Sequence, residues 1–285
     1  MSAEPSDRPL VVIGGGVMGS SIATLAIGHG RPVRLIDCDA EALDQARSRI
    51  GQQLRHAQLL DAWPAGQRRG ELTTATSTTG AGDVVAVIEA IVEIPEQKAK
   101  AFAELGEVFG PGTPLITNTS AIPISEVASW VRHPDRVVGV HFMNPPYLIE
   151  TVEVICGSST SPVAVHAVTE LLASLGRKPV TVSDTPGFVT SRLLHPMIND
   201  AARIVGEGVA VEAVDALMQG GLGHPVGPLR TADLIGIDNL VDALNVLYGR
   251  TGISYYEPCE VLLEKVRAGE LGQKTGKGFY DYGKV

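Results

Sequence analysis

His141, at the end of the run "RVVGVHF", is well placed to exchange a proton. An imidazole titrates near 6.5 in water, so it can take and return a proton close to neutral pH. Two more polar side chains close strand-like runs: Ser120 ends "PLITNTS" and Glu93 follows "VIEAIV". Ligands of open α/β sheets lie beyond the carboxyl ends of the strands, so an imidazole, a hydroxyl and a carboxylate delivered there would meet one ligand. Any one of the seven histidines is more often a packed structural residue, and what separates the two readings is a partner and a cleft. The stretch "IETVEVIC" offers the partner. Alternation puts Val152 and Val154 on one strand face and Glu153 on the other. A carboxylate withdrawn from water needs pairing. Paired with His141, Glu153 would fix the imidazole tautomer and stabilise the imidazolium; on an edge strand it would simply be exposed.

A nucleotide site is readable at the other end of the chain. "LVVIGGGVMGSSIATLAIGHG" carries Gly14, Gly16 and Gly19 in GxGxxG spacing, after an apolar strand and at the start of an apolar helix. Gly14 allows the tight turn, Gly16 lets backbone approach a pyrophosphate, and Gly19 permits close helix–strand packing. Val17 and Met18 open the helix whose N-terminus would face the phosphates. The next strand, "PVRLID", ends in Asp37, about 20 residues on, where an acid binds ribose hydroxyls and repels a 2′-phosphate. That favours NAD over NADP. FAD enzymes share the fingerprint.

The elements that position these groups alternate. Between residues 10 and 185, "PLVVIG", "PVRLID", "VVAVIEAI", "PLITNT", "RVVGVHF", "TVEVI" and "KPVTVS" separate Ala/Leu/Glu/Arg-rich segments, the βαβ pattern of an α/β fold with a Rossmann-like, doubly wound parallel sheet. After "DTPGF" the strand signal stops, and helical spacing with Gly stops predicts an all-α C-terminal domain. Pro186 and Gly187 supply the break, giving domains 1–185 and 186–285.

Composition narrows the partners. The 285 residues are 44% hydrophobic with a formal net charge of −9 and no basic stripe, which argues against nucleic acid and membrane surfaces and for small molecules or protein. Cys38, Cys156 and Cys259 have neither metal-ligand nor disulfide-framework spacing, so no metal is expected and the compartment reads as reducing. With a polar N-terminus and no bilayer-length apolar run, the expected location is cytoplasmic.

Taken in order, "GGGVMG", "VIEAIVE" with Lys98, "NTSA", "HFMNPP", "VEVI", "DTPGFVTSRLL", "GHPVGPL", "DLIGID" and "GQKTGKGFYDY" resemble the 3-hydroxyacyl-CoA dehydrogenase family over nearly the whole chain. The resemblance implies NAD as cofactor, an acyl thioester as substrate, and a homodimer formed largely by the helical domain. By the same resemblance His141 is general base and acid, Glu153 its orienting carboxylate, Ser120 the hydroxyl on the substrate oxygen, and Asn144 the asparagine beside the base. Glu93, Lys98 and Asn118 match residues on the cofactor side, the first two near the nicotinamide ribose.

Three stretches depart from the family. Ser191 stands where the family usually has an asparagine that helps hold substrate; a water, a polar group of the substrate, or a plain helix-start serine each accounts for it. "LDAW", residues 60 to 63, replaces a Lys-Gly-Lys run associated with CoA phosphates, for which Arg47, Arg49, Arg55, Arg68 and Arg69 are candidate substitutes. Glu150 stands where these enzymes commonly carry Lys, and "NPPY" is similar to the lambda-crystallin and L-gulonate dehydrogenase branch. The alternatives are therefore the same chemistry on an acyl-carrier-protein tether, a free hydroxy acid as substrate, or a nucleotide-binding structural protein without turnover. His224, Asp233 and Asp238 read as turn and helix-cap residues, His195 as packing, and "GQKTGKGFYDYG" as a segment folding back on the core.

Overall fold

Short runs of branched apolar residues, buried on both faces, build the sheet on which the site rests. The computed structural model describes residues 8–63 and 66–283. In the first unit, β1 (Leu10–Ile13), β2 (Val33–Ile36), β3 (Leu72–Ala75), β4 (Ala86–Glu89), β5 (Leu115–Thr117), β6 (Val137–His141), β7 (Thr151–Cys156) and β8 (Lys178–Ser183) alternate with α1 (Val17–Gly28), α2 (Ala40–Leu59), α3 (Pro95–Val108), α4 (Ile124–Ala128) and α5 (Pro162–Ser174). Among the described residues the strands form one sheet in the order β3-β2-β1-β4-β5-β6-β7-β8. β1, β4 and β5 are buried almost throughout, as strands covered by helices on both faces must be. The order reverses between β1 and β4, and a ligand crevice is expected at such a switch point.

Two features of the sheet differ from the pattern in the sequence. β3, "LTTA", is an eighth strand; half polar and half exposed on the sheet edge, it carries no apolar run to betray it. The sheet is also not wholly parallel: β7 runs antiparallel to β6, with His141 opposite Glu153, and β8 follows β7 in parallel. The connection from β6 to β7, residues 142–150, holds no helix, and a parallel crossover takes about a dozen residues or more, so the strand returns reversed. β8 is the other edge, where Pro179 is tolerated.

The chain divides into two compact units between Asp184 and Thr185. The second packs α6 (Thr190–Gly206), α7 (Val211–Leu222), α8 (Pro228–Ile235), α9 (Ile237–Thr251) and α10 (Glu260–Arg267) around Ile198, Leu229, Leu240 and Leu244. Two buried acids hold it together. Asp215 accepts from the Leu229 and Arg230 amides at the start of α8 and from the Tyr280 hydroxyl at 2.8 Å. Buried against that carboxylate, Tyr280 has its phenol pushed up, out of the usual tyrosine range. Asp233 is not the helix cap its sequence context suggests: it sits late in α8 and takes the Phe279 and Tyr280 amides, tying the C-terminal segment back onto the unit. Asp238 does lie in the first turn of α9, paired with Lys274 at 2.5 Å. No helix among the described residues is long and apolar enough to cross a membrane.

Candidate active site

At the end of β1 the chain turns through Gly14, whose φ of 104° lies in glycine territory and whose added Cβ would meet the Ala90 carbonyl at 2.7 Å. A Cβ on Gly19 would lie 1.8 Å from the Gly14 carbonyl oxygen, so α1 packs against the turn only because that residue is glycine. Gly16 is different: a Cβ there meets nothing within 4 Å. Protein packing does not require this glycine, whereas a ligand lying against the backbone does. α1 begins at Val17 and Met18 with no side-chain cap and no acid in its first turn, which leaves its amide groups for an anion.

Asp37, past the end of β2, accepts from the Gly15 amide at 2.7 Å and the Asp39 amide at 2.9 Å. With Gly14, Ile36, Thr78, Ile91, Lys100 and Glu104 it lines a cavity of about 410 Å³. Arg49 of α2 clasps the glycine turn from behind, donating to the Gly15 carbonyl at 2.5 Å and the Ser20 hydroxyl at 3.3 Å.

On the far side of the switch point His141 ends β6, and its Nδ1 lies 2.7 Å from a Glu153 carboxylate oxygen. The antiparallel return explains how the two meet, since the start of β7 lies at the same sheet edge as the end of β6. Both flanks of β7 are paired and the Glu153 side chain is only 7% exposed, which removes the exposed edge-strand alternative. Asn118, just past β5, accepts from the Phe142 amide at 3.2 Å, fixing the backbone beside His141. The segment that follows carries exposed Asn144 and is pinned from two sides. Arg177 donates to the carbonyls of Pro146 and Ile149, and the Tyr147 hydroxyl lies 3.2 Å from His56 Nδ1. Burial lowers the Arg177 guanidinium and raises the Tyr147 phenol from their usual ranges.

Glu93 braces the neighbouring turn. One carboxylate oxygen accepts from the Thr119 hydroxyl, the Ser120 amide at 3.1 Å and the Ala121 amide at 3.2 Å. The other lies 3.2 Å from Lys98.

Sequence comparison places this geometry. The family model "3-hydroxyacyl-CoA dehydrogenase, NAD binding domain" matches residues 9–185 and its C-terminal-domain counterpart residues 187–282. The chain belongs to the 3-hydroxyacyl-CoA dehydrogenase family. It is 40% identical over 283 residues to the probable 3-hydroxybutyryl-CoA dehydrogenase of Bacillus subtilis, covering 96% of this chain and 97% of that protein. The 3-hydroxybutyryl-CoA dehydrogenase of Clostridioides difficile is 40% identical over 279 residues, covering 96% of this chain and 99% of that one. The crystal structure of M. tuberculosis FadB2 aligns with a TM-score of 0.92 at 36% identity, covering 98% and 100% of the two chains.

In this 3-hydroxyacyl-CoA dehydrogenase family member the first unit is an NAD-binding domain. Its open approach at Gly16, the uncapped start of α1 and the acid in the cavity suit a dinucleotide. The unit brings Gly14, Asp37, Glu93, Asn118, Ser120, His141 and Glu153 to the carboxyl edge of the parallel strands. Lys98 is buried in α3, with its ammonium 3.2 Å from Glu93 at that edge and 2.5 Å from Glu89 beneath it. Ser191 is the second residue of α6, in the helical unit.

The departures acquire local explanations. "LDAW" does not mimic a phosphate site: a Cβ on Gly28 would strike the Trp63 ring at 2.4 Å, so the tryptophan covers α1. Of the candidate arginines, Arg49 holds the glycine turn, Arg47 bonds the Thr74 hydroxyl and Arg69 bonds Gln58 at 2.8 Å. Glu150 pairs with Lys178 at 2.5 Å, and that hydrogen bond holds its carboxyl below the usual range.

Glu89 is a buried polar residue that the strand pattern alone does not single out. Fully buried at the end of β4, it accepts from Lys98 at 2.5 Å, Thr117 at 2.8 Å and the Ile91 amide at 2.8 Å. The available signal was an acid inside an otherwise unbroken strand, which demands a buried partner.

Proposed function

We propose that this enzyme interconverts a short 3-hydroxyacyl-CoA thioester and its 3-oxoacyl form. The observation that carries the proposal is the 2.7 Å His141–Glu153 contact at the ligand edge of an NAD-binding sheet. With Nδ1–H held by Glu153, His141 Nε2 takes the proton of the C3 hydroxyl and returns it in the reverse reaction. The Ser120 hydroxyl donates to the same oxygen as negative charge gathers there, and Asn144 assists beside the base. Bound NAD supplies the hydride acceptor. Gly14, Gly16, Val17, Met18 and Gly19 hold the pyrophosphate, and Asp37 the adenosine ribose. The relatives named above support CoA as the tether, since their names specify 3-hydroxybutyryl-CoA.

The test is NADH oxidation with acetoacetyl-CoA, its N-acetylcysteamine thioester and free acetoacetate. Acetoacetyl-CoA should turn over fastest. Equal rates with the truncated thioester would move the tether to a carrier protein, and turnover of the free acid alone would overturn the reading. Asp37→Ala should weaken NAD more than NADP, because the ribose contact is lost while repulsion of the 2′-phosphate is relieved; cofactor titrations measure the ratio. If Ser191 does the work of the family asparagine, Ser191→Asn raises activity on acetoacetyl-CoA. Its inactivation on every substrate would instead mean a site shaped around serine.

The helical unit exposes Leu193, Leu217, Leu222 and Leu234, apolar side chains that a second copy would cover, which supports a homodimer through this unit. The free thiols of Cys38, Cys156 and Cys259 support a cytoplasmic setting.

A further inference from the structure

Beyond Asp37 the cavity of about 410 Å³ continues between the turn that follows β3 and one face of α3. Gln97, Lys100, Ala101 and Glu104 stand at i, i+3, i+4 and i+7, so a single helical stripe lines it. The adenine of NAD is bonded to the ribose that Asp37 holds in the proposed reading, and the inference rests on that reading: the base comes to rest in this cavity. Ile36 and Ile91 give apolar surface to the faces of a flat ring, and the polar lining is left for its edge. Glu104 is the best-defined polar group there. Its carboxylate accepts from the Thr78 hydroxyl at 2.7 Å, and Thr78 is itself only 8% exposed. An exposed glutamate otherwise samples many rotamers; this one is tied to the opposite wall by a buried hydroxyl. A carboxylate has about four acceptor positions and the hydroxyl uses one, so the group keeps acceptor capacity toward the cavity.

We propose that Glu104, anchored by Thr78, recognises the adenine base by accepting a hydrogen bond from its 6-amino group, which makes the pair a specificity-determining element of the dinucleotide site. Adenine carries a donor at position 6, where hypoxanthine carries a carbonyl acceptor. A carboxylate attracts the donor and repels the carbonyl. The glycine turn and Asp37 do not make this distinction, because they meet phosphate and sugar, which both dinucleotides share. Lys100, one turn before Glu104 on the same face, offsets the cost of setting a carboxylate beside an anionic dinucleotide. A Thr78–Glu104 bond that merely tied the turn after β3 to α3 would leave binding indifferent to the base.

The experiment titrates the protein with NADH and with reduced nicotinamide hypoxanthine dinucleotide, in which a carbonyl replaces the 6-amino group, and follows the fluorescence of the reduced nicotinamide. The native protein should bind NADH about tenfold more tightly, the scale of one hydrogen bond to a charged group. Glu104→Ala should bring the ratio to within about twofold of one. In Glu104→Gln the Thr78 hydroxyl keeps the amide oxygen and the amide nitrogen turns to the base, so the preference should reverse by about threefold or more toward the carbonyl base. Thr78→Val leaves the carboxylate unanchored and should lower the native ratio by about threefold. Both Glu104 variants change an exposed side chain, so folding is not at stake. A native ratio within about twofold of one, or the full preference for NADH kept in Glu104→Ala, Glu104→Gln or Thr78→Val, overturns the proposal. A native protein that binds neither dinucleotide overturns the cofactor reading together with it, whereas tight and equal binding of both removes Glu104 alone.

Discussion

Replacing His141 by glutamine is expected to lower kcat by about two to four orders of magnitude, the span of general acid–base catalysis. Glutamine keeps a polar group near the same place and cannot cycle a proton. His141 terminates β6, and the glycine turn and Asp37 lie beyond β1 and β2, three and four places away in the sheet order, so NADH affinity should change little. Stopped-flow turnover of acetoacetyl-CoA with NADH, beside a fluorescence titration of NADH, separates the two quantities. Turnover within a few fold of the native enzyme would remove His141 from the chemistry and leave only a nucleotide-binding sheet.

Glu153→Gln is the second large effect. The carboxylate lies 2.7 Å from His141 Nδ1 and is almost wholly withdrawn from solvent, so its charge acts on the imidazole with little screening. A neutral carboxamide fills the same volume. It can still accept a hydrogen bond, yet it neither enforces the Nδ1–H tautomer nor stabilises the imidazolium. In a serine-protease triad the corresponding exchange of acid for amide lowers kcat about 10⁴-fold, and a loss of about two to four orders is expected here. The double variant with His141→Gln should be hardly worse than His141→Gln alone, since the carboxylate acts only through the ring. Independent, multiplying losses would mean that Glu153 serves something other than His141.

These two effects trace to a pairing that was only partly legible in the chain. The residue types, their places at strand ends and the strand character of 151–156 pointed to His141 and Glu153. Their contact depends on β7 turning back antiparallel after a connection too short for a crossover, and that places the start of one strand beside the end of the other. The glycine turn and Asp37 were readable because their spacing is local: turn, helix start and strand end lie within one βαβ unit. The strands missed or misdirected were those without local signals, namely the polar edge strand β3 and the reversal at β7 and β8.

The alternation of most strands and helices, the glycine turn, the acid at the end of β2, and the strand places of His141 and Glu153 were determined by the sequence itself, since each follows from periodicity or spacing over a few neighbouring residues. Only the tertiary structure decided which charges face the ligand and which face each other. Lys98 stands nine residues after Glu89 and five after Glu93, and that spacing does not say whether its ammonium points to a cofactor or into the protein. Packing α3 against the sheet buries it between the two acids, because a buried carboxylate at the end of β4 must find its counter-charge from whichever element covers it.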